Sequence, residues 1–374
     1  MSISSNQVVE VLKTIIHPSL GKDIIELGLV KNLIAEDGKI EYELAFSAAN
    51  DPLKSSIKKA CEAALREKFG DSVSLSIKIV TAVNTTIAHK ENEGLKGIKN
   101  IIAIASGKGG VGKSTVAANL AIAFGMTGAK VGLIDGDIFG PSIPKMLGAE
   151  EEKPQVLNID GRDLIIPPER FGIKLLSIGF FVDPNDATIW RGPMASNALK
   201  QLIFECNWGE LDYLFVDLPP GTSDIHLTLV QNVPVTGAVI VSTPQEVALA
   251  DVIKGINMFR NTTINIPVLG LIENMAWFTP EELPEKKYYI FGKDGCVNLA
   301  ATLNIPLLGQ IPIVQSICEG GDKGTPSVLK KDKVSEAFKT VAENLRMEIL
   351  KRNTYQEPTK IVDITRHRAS DFKK

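Results

Sequence analysis

The chain is poor in cysteine, with Cys61, Cys206, Cys296 and Cys318 its only four in 374 residues. They are widely scattered and form no CxxC pair, so nothing suggests a disulfide-stapled fold, and the expected compartment is the cytoplasm. Charge of one sign is not in excess. The formal net charge of −3 gives no general reason to bind nucleic acid or an anionic membrane, and neither is expected as a partner. No run approaches the roughly 20 apolar residues of a membrane-spanning helix. The opening MSISSNQVVEVLKTII has no basic start, pure apolar run and small-residue cleavage site, so it reads as a helix of the fold rather than a signal peptide. Internal repeats and low-complexity tracts are missing too. What remains is 44% apolar and 23% charged residues over a length that exceeds one ordinary core, which predicts two globular domains.

Residues 1–90 read as a small α+β unit. Gln7 to Ile16 carries Val8, Val9, Leu12, Ile15 and Ile16 at helical spacing, stopped by His17-Pro18. An apolar stretch around Leu27–Val30, an alternating strand from Ile40 to Phe46, an amphipathic helix from Pro52 to Phe69 and a second alternating strand from Val73 to Val80 follow. Residues 91–98, charged and glycine-bearing, are the expected linker. From 99 to 350 the texture changes to short apolar runs alternating with helices: Ile101–Ala105, Val131–Ile134, Tyr213–Val216, Ala238–Val241, Val268–Ile272 and Leu307–Leu308. This predicts an α/β domain with a parallel sheet covered by helices on both faces. Its binding site should lie at the carboxyl ends of the strands. Residues 351–374 are locally basic and read as a solvated tail.

The chemistry begins after the first of those runs. Gly107-Lys108-Gly109-Gly110-Val111-Gly112-Lys113-Ser114-Thr115 contains the GxxxxGK[ST] pattern between a strand and a helix. The glycines let successive backbone N–H groups turn around an anion, and the helix start adds partial positive charge. Lys113 would reach the β and γ phosphates of ATP, and the Ser114 hydroxyl would take one position on Mg²⁺. Lys108 has no use in that cradle. It is either a solvated surface lysine or a second charge for the reaction.

Two further runs end in carboxylates. Val131–Ile134 is followed by Asp135-Gly136-Asp137, and Tyr213–Val216 by Asp217-Leu-Pro-Pro-Gly221. An apolar strand ending in Asp217 suits a Mg²⁺ contact, and the pair Asp135 and Asp137 beside a phosphate site can hold Mg²⁺-bound water and orient the attacking water. Gly221 would bring a backbone N–H near the γ-phosphate.

Taken together, ASGKGGVGKSTVAANLA, DGDIFGPSIPKMLG, WRGPMASNALKQ, VDLPPGTSD, IENMAWF and GQIPIVQSICEGGDKGTP resemble the Mrp (ApbC-type) family of deviant Walker A ATPases, relatives of MinD and ParA described as iron–sulfur cluster carriers. PSLGKDIIELGLV is similar to the iron–sulfur-assembly domain often fused ahead of them. The resemblance implies a homodimer in which Lys108 crosses to the partner's nucleotide, and clients that are apo iron–sulfur proteins or assembly factors. It also implies that Asp137 orients the attacking water while Asp135 supports the metal's shell, and that Asn274 reads the nucleotide base, with Pro312 at a second base-contacting position. Read without that resemblance, Asn274 is a turn or capping residue.

The chain departs from the family at the cluster. The CxxC expected after IENM is replaced by Trp277-Phe-Thr-Pro-Glu-Glu-Leu-Pro284, and Asp51 stands where the N-terminal domain's cysteine is usual. Thiolates are the normal ligands of such clusters. Cys296 and Cys318 remain as substitute ligands, or as apolar residues of the core. Two functions follow: a nucleotide-switched carrier that transfers clusters, or a nucleotide-controlled scaffold that docks assembly partners and carries none. A partitioning or membrane-oscillating ATPase shares the core, but neither a terminal amphipathic membrane helix nor a strongly basic face accompanies it.

Overall fold

The computed structural model describes residues 5–18, 22–36, 39–46, 53–70, 73–81, 95–159, 161–182, 192–222, 224–280, 282–283 and 285–357. Asp51, Pro52, residues 91–94 of the expected linker, Trp190, Glu281, Pro284 and the tail beyond Glu357 lie outside them. The chain divides into two compact units, Met1–Lys90 and Glu91–Lys374.

In the first unit helix α1 (Ser5–Leu12) precedes strands β1 (Val30–Glu36) and β2 (Lys39–Phe46), helix α2 (Lys54–Phe69) and strand β3 (Ser74–Thr81). The sheet order is β1-β2-β3, antiparallel then parallel. Ile40, Tyr42, Leu44 and Phe46 alternate inward from β2 and meet Val8 and Leu12 of α1 and Ile57, Cys61 and Leu65 of α2 in one core. The first helix stops at Leu12, four residues short of the Ile16 that its periodicity suggests. Ile15 and His17 instead take up backbone hydrogen bonds with Ile24 and Lys22, and Ile16 bridges Asp23. Pairing with a later segment wins over helical spacing there. Strand β1 extends the apolar stretch at Leu27–Val30 through polar Lys31 and Asn32, where no alternation announced it.

The second unit is built on β4 (Ile98–Ala105), α3 (Lys113–Met126), β5 (Val131–Asp135), the short α4 (Ile143–Met146), a hairpin of β6 (Gln155–Ile159) and β7 (Arg162–Ile166), β8 (Glu169–Arg170), β9 (Ile173–Ser177), α5 (Gly192–Phe204), β10 (Leu211–Asp217), α6 (Asp224–Asn232), β11 (Gly237–Ser242), α7 (Glu246–Arg260), β12 (Val268–Phe278), α8 (Gly295–Leu303), β13 (Leu307–Ile313), α9 (Gln315–Asp322) and α10 (Lys333–Tyr355). The eight-stranded sheet runs β13-β12-β11-β4-β10-β5-β9-β8, parallel except at its β8 edge. Every apolar run singled out in the sequence is one of its strands. Strand β4 already starts at Ile98, inside the expected linker, and α10 runs to Tyr355, inside the expected tail. Strand β9 was not anticipated.

The period of 2 along β4 divides the core in two. Ile101, Ala103 and Ala105 face a cluster built with α5, α6, α7 and α8, while Ile102 and Ile104 face one built with α3 and α10. Both faces are therefore covered, which is why the strands read as unbroken apolar runs. The carboxyl ends of β4, β5, β10 and β12 are left as the place for chemistry. Among the described residues no helix is long and apolar enough to cross a membrane.

Candidate nucleotide-binding site

The glycine-rich loop joins β4 to α3. Gly110 and Gly112 have φ of 80° and 78°, the left-handed region where a side chain is strained. Gly107 lacks a side chain for a different reason: a Cβ there would come within 2.5 Å of the backbone between Asp251 and Val252 on α7. Among the described residues, no backbone carbonyl accepts a hydrogen bond from the N–H groups of Lys108 to Gly112. Five free amides beside a helix start form an anion cradle. Lys113, Ser114 and Thr115 open the helix itself.

Under this loop sit the two buried strand-end carboxylates. Asp135 and Asp217 are the last residues of β5 and β10 and are register partners in the parallel pair. Lys113 Nζ lies 2.7 Å from Asp217 Oδ1, an ion pair with both side chains almost wholly out of water. The other oxygen, Asp217 Oδ2, is buried with no hydrogen-bond partner. Burial pushes the Asp217 carboxyl above its ordinary range, against the pull of Lys113 and the Ser114 hydroxyl. An orphaned carboxylate oxygen next to a serine hydroxyl is the donor set a small hard cation takes, so these residues fit Mg²⁺.

Asp135 is committed differently. Its Oδ2 accepts from the Ile143 N–H at 3.2 Å and from Ser177 Oγ at 3.0 Å, and its Oδ1 accepts from the Asp137 N–H at 3.3 Å. Burial, and then the neighbouring Asp217, push its carboxyl up to about 7. Asp135 therefore shapes the loop that follows β5, with both oxygens engaged by the protein. Asp137, two residues on, is half-buried at the edge of the site; burial raises its carboxyl too, opposed by Lys113.

The remaining predicted residues group around the loop. Asn274, in the interior of β12, donates from Nδ2 to the Val111 carbonyl at 2.8 Å, and a Cβ on Gly112 would collide with that same amide. It is neither a cap nor a turn. Pro312 lies on the neighbouring β13, next to Ile311, the register partner of Asn274. Gly221, with φ of 82°, donates its N–H to the Ser106 carbonyl at 2.9 Å, so in this structure that amide ties the β10 loop to the phosphate loop. Lys108 is half-buried, with Nζ 3.4 Å from Gln245 Oε1, rather than freely solvated.

The two substitute cysteines part company. Cys296 is wholly buried at the start of α8, and burial with the nearby Glu273 carboxylate pushes its thiol up to about 12. That environment disfavours a thiolate ligand. Cys318 is exposed on α9, near Asp322. Among the described residues no group of three or more His, Cys, Asp or Glu side chains could hold a metal ion.

Three residues of the site escaped the sequence reading. Ser177 ends β9 and anchors Asp135. Glu273 is fully buried, accepting from the Cys296 N–H and Gln310 Nε2, both at 2.7 Å, and so fixes β12 one residue before Asn274. Gln245 contacts Lys108. Only Glu273 carried a signal, a charged residue inside an apolar strand.

Comparison with known proteins agrees with this geometry. Residues 97–346 match the family described as NUBPL iron-transfer P-loop NTPase, and residues 5–77 match the iron–sulfur cluster assembly protein family. An iron–sulfur cluster carrier protein of Synechocystis is 42% identical over 336 residues, covering 90% of this chain and 94% of its own. One from Escherichia coli is 43% identical, covering 84% of each. The structure of a nucleotide-binding protein from Archaeoglobus fulgidus, in complex with ADP, aligns with a TM-score of 0.55 at 39% identity, covering 63% of this chain and 91% of its own. A phosphate loop, its paired carboxylates and matches across both units agree: the chain belongs to the iron-transfer P-loop NTPases of the Mrp type, with an iron–sulfur-assembly domain ahead of the NTPase.

Proposed function

We propose that this protein is a Mg²⁺-dependent ATPase acting as a nucleotide-switched homodimer that accepts iron–sulfur clusters and delivers them to apo-proteins. The observation that carries the ATPase part is the convergence of Lys113, Ser114, Asp135 and Asp217 under a loop of free amides, with Asp217 Oδ2 buried and unpartnered. The carrier part rests on the relatives, which are named as carriers.

The residues divide the work. Amides 108–112 hold the phosphate oxygens in place of water, and Lys113 exchanges Asp217 for the β and γ phosphates. Ser114 and Asp217 would hold Mg²⁺, which would supply positive charge for the phosphoryl transfer. Asp135 keeps Asp137 in place through the Asp137 N–H, and Asp137 orients the water that attacks. Lys108 neutralises charge on the nucleotide of the second subunit, as an arginine finger does. Asn274 and Pro312 border the place of the base, and Gly221 leaves Ser106 to follow the γ-phosphate.

The burial of Cys296 favours a second reading, in which the same ATPase docks assembly partners and carries no cluster. Anaerobic reconstitution with iron and sulfide separates the two. Bound iron and sulfide with thiolate-to-iron absorbance are expected for a carrier, and iron at background would leave the scaffold. Lys108→Ala is expected to bind ATP normally and turn it over slowly, and full turnover in a dilute, monomeric sample would remove the role across the dimer.

A further inference from the structure

The Lys108 ammonium is the loop group that the phosphate cradle does not use, and the structure gives it a neighbour. Gln245 precedes α7 in extended conformation, with φ −63° and ψ 132°, at the N-cap position. Its side chain makes no capping hydrogen bond. Short side chains such as Ser, Thr, Asp or Asn reach back to the first helical N–H groups, and glutamine is poorly suited to that task. Here its amide oxygen faces the loop instead, 3.4 Å from Lys108 Nζ.

The backbone on both sides of this contact is held. Gly107 packs directly on α7 at Asp251 and Val252, and the Lys108 carbonyl accepts from Ser106 Oγ at 3.0 Å. On the other side Pro244 is pressed against Gly295 at the start of α8. Only the two side chains are free to part. A neutral amide accepting from an ammonium at 3.4 Å is longer than the usual range of about 2.7–3.2 Å, so the hold is weak and breakable.

We propose that Gln245 is a positioning residue that tethers Lys108 to its own subunit, and that this tether is released before Lys108 can act on a phosphate. The inference rests on the reading of Lys108 as a group that acts on the second subunit's nucleotide. It adds that the resting ammonium is held in cis, so the strength of the tether sets turnover without touching nucleotide affinity. A carboxylate at 245 would convert the weak contact to an ion pair. An apolar residue of the same size would remove it.

The test is steady-state ATP turnover and nucleotide Kd of the full chain as Gln245→Glu and Gln245→Leu, each alone and with Lys108→Ala. Gln245→Glu is expected to lower kcat roughly fivefold, since the carboxylate adds an opposite charge to a half-exposed ammonium. Gln245→Leu is expected to raise kcat roughly threefold, the loss of one weak hydrogen bond. Kd should stay unchanged in both, and both effects should vanish on the residual turnover of Lys108→Ala. If Gln245→Leu does not fold, Gln245→Asn, one methylene shorter, should behave in its place. Equal losses of kcat in the Glu and Leu variants, or the same changes persisting without Lys108, would overturn the tether. Wild-type turnover of Lys108→Ala alone would instead remove the reading of Lys108 on which it stands.

Discussion

Asn274 Nδ2 reaches the Val111 carbonyl across 2.8 Å, so a strand residue 163 positions later in the chain holds the phosphate loop closed. The next residue, Met275, has φ of 55°, and the pairing of β12 with β13 slips between Asn274 and Phe278. A left-handed non-glycine residue costs about 1–2 kcal/mol. Strain of that kind persists where the surrounding structure over-determines it, here beside the ligand loop.

Asn274→Ala should therefore weaken nucleotide binding by about tenfold, the worth of one buried hydrogen bond, while the protein remains folded. Titration calorimetry with ATP reads the change. An unaltered Kd would show that the loop keeps its shape without this tie.

Gly112→Ala is predicted to be more severe. The new methyl group would occupy the space of the Asn274 amide at a φ that alanine adopts only with strain. No calorimetric heat on adding ATP is expected, together with a lower unfolding midpoint.

Lys113→Ala should abolish ATP binding and also destabilise the fold, because it leaves Asp217 ionised or protonated in a site with 0% exposure. Breaking a buried pair on one side costs roughly 3–5 kcal/mol. Lys113→Met with Asp217→Asn removes both charges and should recover most of that stability without recovering binding. Chemical denaturation of the single and double variants measures it, and equal midpoints for the two would refute the pairing argument.

The Asp135 carboxyl rises from 3.8 to about 7 on folding. A group with a raised folded pKa leaves the folded state holding more protons than the unfolded one. Its contribution is intact below about pH 4 and is lost as pH climbs through 7, by at most roughly 4 kcal/mol. The unfolding free energy of the protein without nucleotide should fall over that window, and the slope should flatten in Asp135→Asn. The slope is the readout, since the asparagine amide also disturbs the Asp137 N–H contact.

Thiol labelling separates the cysteines. Cys61, Cys206 and Cys296 are buried, and burial raises each of their thiols, whereas Cys318 is exposed. One thiol should react with a maleimide within minutes and three only on unfolding, with peptide mapping placing the fast one at Cys318. In the carrier reading, Cys318→Ser is the variant expected to lose reconstituted iron.

Much of the site was legible because its residues are local in sequence. Gly107 to Thr115 announces itself through spacing, and Asp135 and Asp217 through apolar runs that end in a carboxylate. Strand β9 was not legible, since Ile173–Ser177 begins with an alternation too short to tell from a loop. Its Ser177 nevertheless anchors Asp135. Periodicity alone carries helix α1 past Leu12, because it cannot show that Ile15 will pair with Ile24.

Local sequence patterns carry the α/β architecture, the phosphate loop and the identity of the carboxylates beside it, since these depend on ten or so neighbouring residues. Packing in three dimensions is what pairs Lys113 with Asp217, lets Asn274 grip Val111, rests Lys108 on Gln245, and puts Cys296 out of reach while Cys318 is exposed. Each of those facts joins segments up to 163 residues apart or depends on what buries a side chain. Burial and long-range contact are properties of the packed chain, because desolvation acts on a group through all its neighbours at once and not through those adjacent in sequence.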